Sequence, residues 1–161
     1  MTAMITPVSV LPGESDLDMF WQAGLRFTTG VSVITMGAGD ELRGATVSNF
    51  SMVSRRPALI SLCLSTSSGL TDLVLRNRAF TVNILSRGQE AIARQFTEVA
   101  RAEAALIPGA LCSLWCQFRR VVPAGDHQIV LAGVTAAQLG AGRPLLYFDG
   151  QLHAGLIEEN A

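Results

Sequence analysis

"LCSLWCQFRRVVPAGDHQIVLAGVTAAQL", residues 111–139, decides the fold. Two long runs rich in β-branched and aromatic residues flank "PAGD" (123–126), whose Pro, Gly and Asp are turn residues. Two such runs about a tight turn predict an antiparallel hairpin. "PLLYF" and "QLHAGLI" repeat the pattern about "DG" at 149–150, so the chain is read as β from Leu111 to its end. Upstream, "GVSVITM" (30–36) is a β-branched, alternating strand followed by the turn "GAGD". A hairpin into 42–54, the strand "ALISLCL" after Pro57, and "AFTVNIL" (79–85) complete the sheet. Three helices are predicted. "ESDLDMFWQAGLRF" sets Leu17, Phe20, Trp21, Gly24 and Leu25 at helical spacing behind the N-cap candidate Ser15. "SSGLTDLVLRN" follows a cap at Ser67 or Ser68, and "GQEAIARQF" is the third.

The expected fold class is therefore mainly β with short helices. It has six to eight antiparallel strands in a Greek-key-like closed barrel with helices at its ends. Residues 15–161 form one domain behind an N-terminal arm of residues 1–14, which lacks the basic start and apolar core of a signal peptide.

The chain has 161 residues, 49% hydrophobic and 16% charged, with a mean hydropathy of +0.37. No apolar run approaches the roughly 18–20 residues of a spanning helix, so no membrane partner is expected. Surplus apolar surface points instead to a homodimer. The net charge is -1 with acids and bases interspersed, which excludes a phosphate-backbone footprint and hence nucleic acid. All 12 basic residues are Arg, which rules out a Lys Schiff base or P-loop Lys. Cys63, Cys112 and Cys116 lie in apolar runs without metal-ligand spacing; they read as reduced core residues of a cytoplasmic protein, with no metal.

Hydroxyls and amides concentrate in two places. "GATVSNFSMVS" (44–54) carries Thr46, Ser48 and Asn49, and "LSTSSGLT" (64–71) carries Ser65, Thr66, Ser67 and Ser68 at the head of a helix. A helix start of this kind is either an anion site or a capping sequence. His127, one of two histidines, either bonds the turn it follows or touches a ligand.

In register, these segments resemble the short-chain flavin reductase family, the reductase partners of two-component flavin monooxygenases. "RFTTGVSVIT" (26–35) is similar to its opening strand, and "GATVSNFSMVS" to its G-x-T-x-x-S/N-F-x-S-V-S segment. "RRPALISLCLSTSS", "FTVNIL", "AGDHQIVLAGV" and "RPLLYFDGQL" match further motifs between Leu17 and His153. The resemblance implies a split-barrel homodimer that binds FMN or FAD without a covalent link. NADH or NADPH is the co-substrate, and reduced flavin diffuses to a monooxygenase. It places Thr28, Thr29, Thr46, Val47, Ser48 and Asn49 along the flavin ring, and Ser65, Thr66, Ser67 and Ser68 at the ribityl and phosphate. Arg94 is a second phosphate contact or a solvated helix residue. Tyr147 is a further cofactor-binding residue, and His127 is the catalytic residue beside flavin and nicotinamide. The alternative is a repurposed barrel that binds flavin or another small ligand in a biosynthetic step without NAD(P)H turnover. The chain departs from the family pattern in a shorter, Ala-rich 97–110 segment, in Phe148 where the family has His, and in the order Ser48-Asn49.

Overall fold

The computed structural model describes residues 13–154; residues 1–12 of the predicted N-terminal arm and the side chain of Ser15 fall outside the described part. In chain order the elements are α1 (Glu14–Leu25), β1 (Thr29–Gly30), β2 (Ser32–Met36), β3 (Arg43–Val47), β4 (Phe50–Arg55) and β5 (Ala58–Ser65). They continue with α2 (Leu70–Asn77), β6 (Ala79–Ile84), α3 (Glu90–Gln95), β7 (Ala100–Arg101), β8 (Cys112–Ala124), β9 (His127–Leu139), β10 (Leu146–Phe148) and β11 (Gln151–His153). Short 3-10 turns cover Gly39–Glu41 and Thr66–Ser68. The predicted hairpin into 42–54 divides into β3 and β4, and the 97–110 segment contributes the short β7. The strand count therefore exceeds the expected six to eight.

Every ladder is antiparallel. The main sheet runs β4-β5-β9-β8-β6-β2-β3-β7, and β1, β10 and β11 form a second, small sheet. β8 and β9, at 13 residues each, meet about Gly125, whose φ of +65° a β-branched residue would not tolerate. Asp149 and Gly150 both take positive φ between β10 and β11, as a two-residue hairpin requires.

β2 is buried along its whole length because β3 and β6 flank it and apolar clusters cover both faces. The larger cluster joins Ile34, Ile60, Leu62, Val82 and Val130 to Leu70 and Val74 of α2. The smaller joins Val31, Val33, Leu85 and Leu145 to Ala93 and Phe96 at α3. Each such aliphatic side chain, removed from water, contributes about 1.5–3 kcal/mol. Cys112, Leu114 and Cys116 all face the larger cluster, as the predicted strand requires. Burial pushes the Cys116 thiol up to about 12 and raises that of Cys112, so both stay protonated and inert.

The apolar residues that helical spacing sets along α1 are little covered within the chain: Leu17, Phe20 and Trp21 are exposed and only Leu25 is half-buried. Met19 is exposed beside them.

α3 lies flush on β3. A Cβ at Gly44 would meet the Phe96 ring at 2.9 Å, so only glycine lets that ring rest on the strand backbone. One residue along the same face, Thr46 ties the two elements together. Its backbone N–H donates to Phe96 O (2.7 Å) and its hydroxyl to Ala93 O (2.7 Å).

The 102–110 segment is pinned by Asn83, whose side chain is fully buried in β6. Its amide donates to Ala105 O (3.0 Å) and Val33 O, and its oxygen accepts from Ile107 N and the Ser113 hydroxyl (2.8 Å). Thr35 also donates to Ala105 O, and Gln89 to Pro108 O. The shortened segment is thus a fixed strap against β2 and β6.

Candidate functional site

Two clefts open side by side along β3. The first, of about 610 Å³, is lined by Thr46, Val47, Ser48, Asn49, Cys63 and Ser65, with Ser67, Ser68, Leu70 and Thr97–Val99 closing it. The second, of about 570 Å³, lies between Arg94 and Thr97 on one side and Tyr147, Gly150, Gln151 and Leu152 on the other. Thr46, Ser48 and Thr97 line both, so the clefts share a wall.

Local folding explains why the two Ser/Thr-rich segments meet here. β3 ends at Val47, and the chain turns through Ser48 and Asn49 into β4. The N–H of Cys63 donates to Asn49 O (3.0 Å), which holds that turn against the end of β5. Ser65, at that end, caps the 3-10 turn by accepting from Ser67 N (3.3 Å), and its hydroxyl contacts that of Ser67 (2.9 Å). The Ser68 hydroxyl donates to Ser65 O and accepts from Leu70 N. The residue capping α2 is Gly69, at φ +67°, and not Ser67 or Ser68 as the sequence suggests. A left-handed residue was needed to join the 3-10 turn to the helix, and only glycine takes it freely.

Hydrogen-bond occupancy sorts the predicted residues. Thr46 has its N–H and hydroxyl proton engaged by α3, and Thr66 donates both its N–H and its hydroxyl to Asp126 O. Ser65 and Ser68 are bonded within their own segment. Among the described residues, the Ser48 hydroxyl and the Asn49 amide make no side-chain hydrogen bond, and both line the first cleft. They are the groups free to bind a polar ring edge. Two buried hydroxyls also lack partners: Thr71, in the first turn of α2, and Thr29, paired in β1 with Tyr147. These features fit a flavin. The unbonded Ser48 and Asn49 suit a heterocycle edge, and the hydroxyls and free amides at the head of α2 suit its polar tail.

Of the sequence candidates, Thr46, Val47, Ser48, Asn49, Ser65, Ser67 and Ser68 come together in the first cleft, and Arg94 and Tyr147 in the second. Thr28, Thr29, Thr66 and His127 line neither. Thr28 is exposed in the turn after α1. His127 opens β9 directly opposite Ser65 in the ladder, so its side chain shares that outward face, one strand beyond the cleft wall. Its Nδ1 lies 2.7 Å from the Asp126 carboxylate. That hydrogen bond, with the imidazole's charge, holds the Asp126 carboxyl below the usual carboxylate range. An ionised carboxylate only accepts, so Nδ1 carries the hydrogen and Nε2 is left for another partner. Sequence reasoning missed Cys63, Thr97, Glu98 and Gln151. Cys63 was read as core, although alternate residues of β5 face outward, and no motif marks the others.

Among the described residues no cluster of His, Cys, Asp or Glu could hold a metal ion, and no helix is long and apolar enough to cross a membrane.

Residues 25–156 match the family model of the flavin reductase like domain. The reductase component of 4-hydroxyphenylacetate 3-monooxygenase from Thermus thermophilus is 37% identical over 137 residues, covering 82% of this chain and 92% of that protein. An NADH-dependent FAD reductase from Streptomyces globisporus is 30% identical over 167 residues, covering 93% and 91%. Among solved structures, an NADH:FAD oxidoreductase from Streptomyces globisporus, in complex with NAD and FAD fragments, superposes with a TM-score of 0.82. It is 29% identical and covers 94% of this chain and all of its own.

Proposed function

Since this chain belongs to the flavin reductase-like family, we propose that it oxidises NADH or NADPH and reduces FMN or FAD bound without a covalent link. The reduced flavin then passes to a separate monooxygenase. The observation that carries this reading is the pair of clefts sharing Thr46, Ser48 and Thr97, because hydride transfer needs two planar rings in contact.

A bound flavin would supply the electron-accepting chemistry for hydride transfer from the dihydronicotinamide. The protein contributes position and polarity. Ser48 and Asn49 present free donors to the ring edge, and the Ser65–Ser68 segment with the head of α2 receives the polar tail. Thr29 neighbours the adjoining cleft through its pairing with Tyr147, which lines that cleft with Arg94 for the second ligand. His127, opposite Ser65 in the ladder and with Nδ1 anchored by Asp126, keeps Nε2 free as the catalytic histidine.

The functional unit is a homodimer in which the sheet closes as a split barrel over residues 15–161, working in the cytoplasm. Support comes from the exposed apolar residues of α1 (Leu17, Met19, Phe20, Trp21) and from Met52 and Val53 on the edge strand β4.

The test is direct: mix purified protein with FMN or FAD and follow NADH and NADPH consumption. Consumption that requires added flavin is the expected result. Flavin binding without any consumption would instead support a barrel repurposed for binding alone.

A further inference from the structure

Charge is distributed unevenly around the first cleft. Its lining is hydroxyl, amide and apolar except for one charged side chain, Glu98. None of the 12 arginines lines it; Arg94 opens onto the second cleft. Among the described residues the ion pairs are Arg26–Asp149, Arg101–Asp40 and His127–Asp126, which leave Glu98 without a cation. Asp126, whose carboxylate pairs with His127, touches the Ser65–Ser68 segment through its backbone carbonyl, which takes both the N–H and the hydroxyl of Thr66. Glu98 is thus the one charged side chain in the cleft that would receive a flavin tail.

Flavins differ most in that tail. Riboflavin ends in hydroxyls, FMN in a phosphomonoester carrying close to two negative charges at neutral pH, and FAD in a diphosphate diester whose charge is spread along the link to adenosine. We propose that Glu98 sets the flavin specificity of this chain by disfavouring a terminal phosphomonoester. The flavin it takes is then FAD or riboflavin in preference to FMN. The proposal rests on the flavin reductase reading and refines it. In water-like surroundings one extra negative charge about 6 Å from a carboxylate weakens binding roughly three-fold, and a dianion correspondingly about ten-fold. Hydroxyls and backbone amides at the head of α2 offset part of this for any tail, but they do not distinguish the three flavins by charge.

Equilibrium dialysis of the full chain against riboflavin, FMN and FAD at low salt tests the proposal, for the wild type and for Glu98→Gln and Glu98→Arg. The wild type should hold FMN several-fold more weakly than riboflavin. Glu98→Gln should tighten FMN about three- to ten-fold and leave riboflavin within two-fold. Glu98→Arg should place FMN ahead of riboflavin, and added salt should shrink each difference. Circular dichroism melts establish that the variants fold. The proposal is overturned if the wild type binds FMN at least as tightly as riboflavin, or if Glu98→Gln moves all three flavins alike. If the wild type binds none of them, the flavin reductase reading itself falls.

Discussion

Asn83 and the Ser48-Asn49 pair are polar residues at or next to strands of the same sheet, and the structure uses them in opposite ways. Asn83 is fully buried, and its amide and oxygen are both bonded within the protein. Ser48 and Asn49 face a cleft with no side-chain partner among the described residues. The contrast separates polar groups that hold the fold from polar groups left unengaged at a cleft. Hydrogen-bond occupancy, and not hydroxyl density, makes the distinction.

Substitution can break this contrast at either end. The largest effect belongs to Asn83→Leu, which leaves the Ile107 N–H and the Ser113 hydroxyl buried without partners; denaturant unfolding should show a loss of about 3 kcal/mol or more. Next comes Ser48→Ala combined with Asn49→Ala. Flavin affinity should fall about ten-fold, equivalent to about 1.4 kcal/mol, while unfolding stability stays within about 0.5 kcal/mol of the wild type. A double variant that loses stability and keeps its affinity would collapse the distinction. Thr46→Val falls between the two: losing the bond to Ala93 O should cost about 1 kcal/mol of stability, with a smaller drop in flavin affinity as α3 loosens from β3.

His127→Ala should slow flavin reduction severalfold in a stopped-flow assay without altering the melt, because among the described residues its side chain bonds only an exposed carboxylate. Asp126→Asn should give the smallest change. The folded carboxyl is depressed below its unfolded value of about 3.9, so its contribution is present above that pH and lost as the pH falls through the folded value. The variant should therefore differ from the wild type near neutrality and converge with it in acid, as read by the pH dependence of the melt.

Much of the sheet was legible in the sequence because its strands carry strong local signals. The β8–β9 hairpin announces itself through two β-branched runs and a Gly-Asp turn, and the order of hydrophobic faces then follows from the pleat. The cleft was legible only in part. Ser48 and Ser65 could be marked as polar residues in suggestive places. That Thr46 is engaged by α3 depends on contacts 47 residues apart, which no local pattern encodes. Glu98 was invisible for a related reason: it matters through the absence of arginines around it. The exposure of α1 was not legible, because periodicity reports that a helix has an apolar face, not whether that face is covered within the same chain.

The exposed face of α1 has an optical consequence. The chain has two tryptophans: Trp21 stands on that face, 65% exposed, and Trp115 is half-buried in β8. Any partner that covers α1 transfers one indole from water to an apolar setting and leaves the other where it was. The emission of Trp21 should shift to the blue with rising protein concentration while Trp115 serves as an internal reference. Self-association is thereby readable in the unlabelled, unmodified chain.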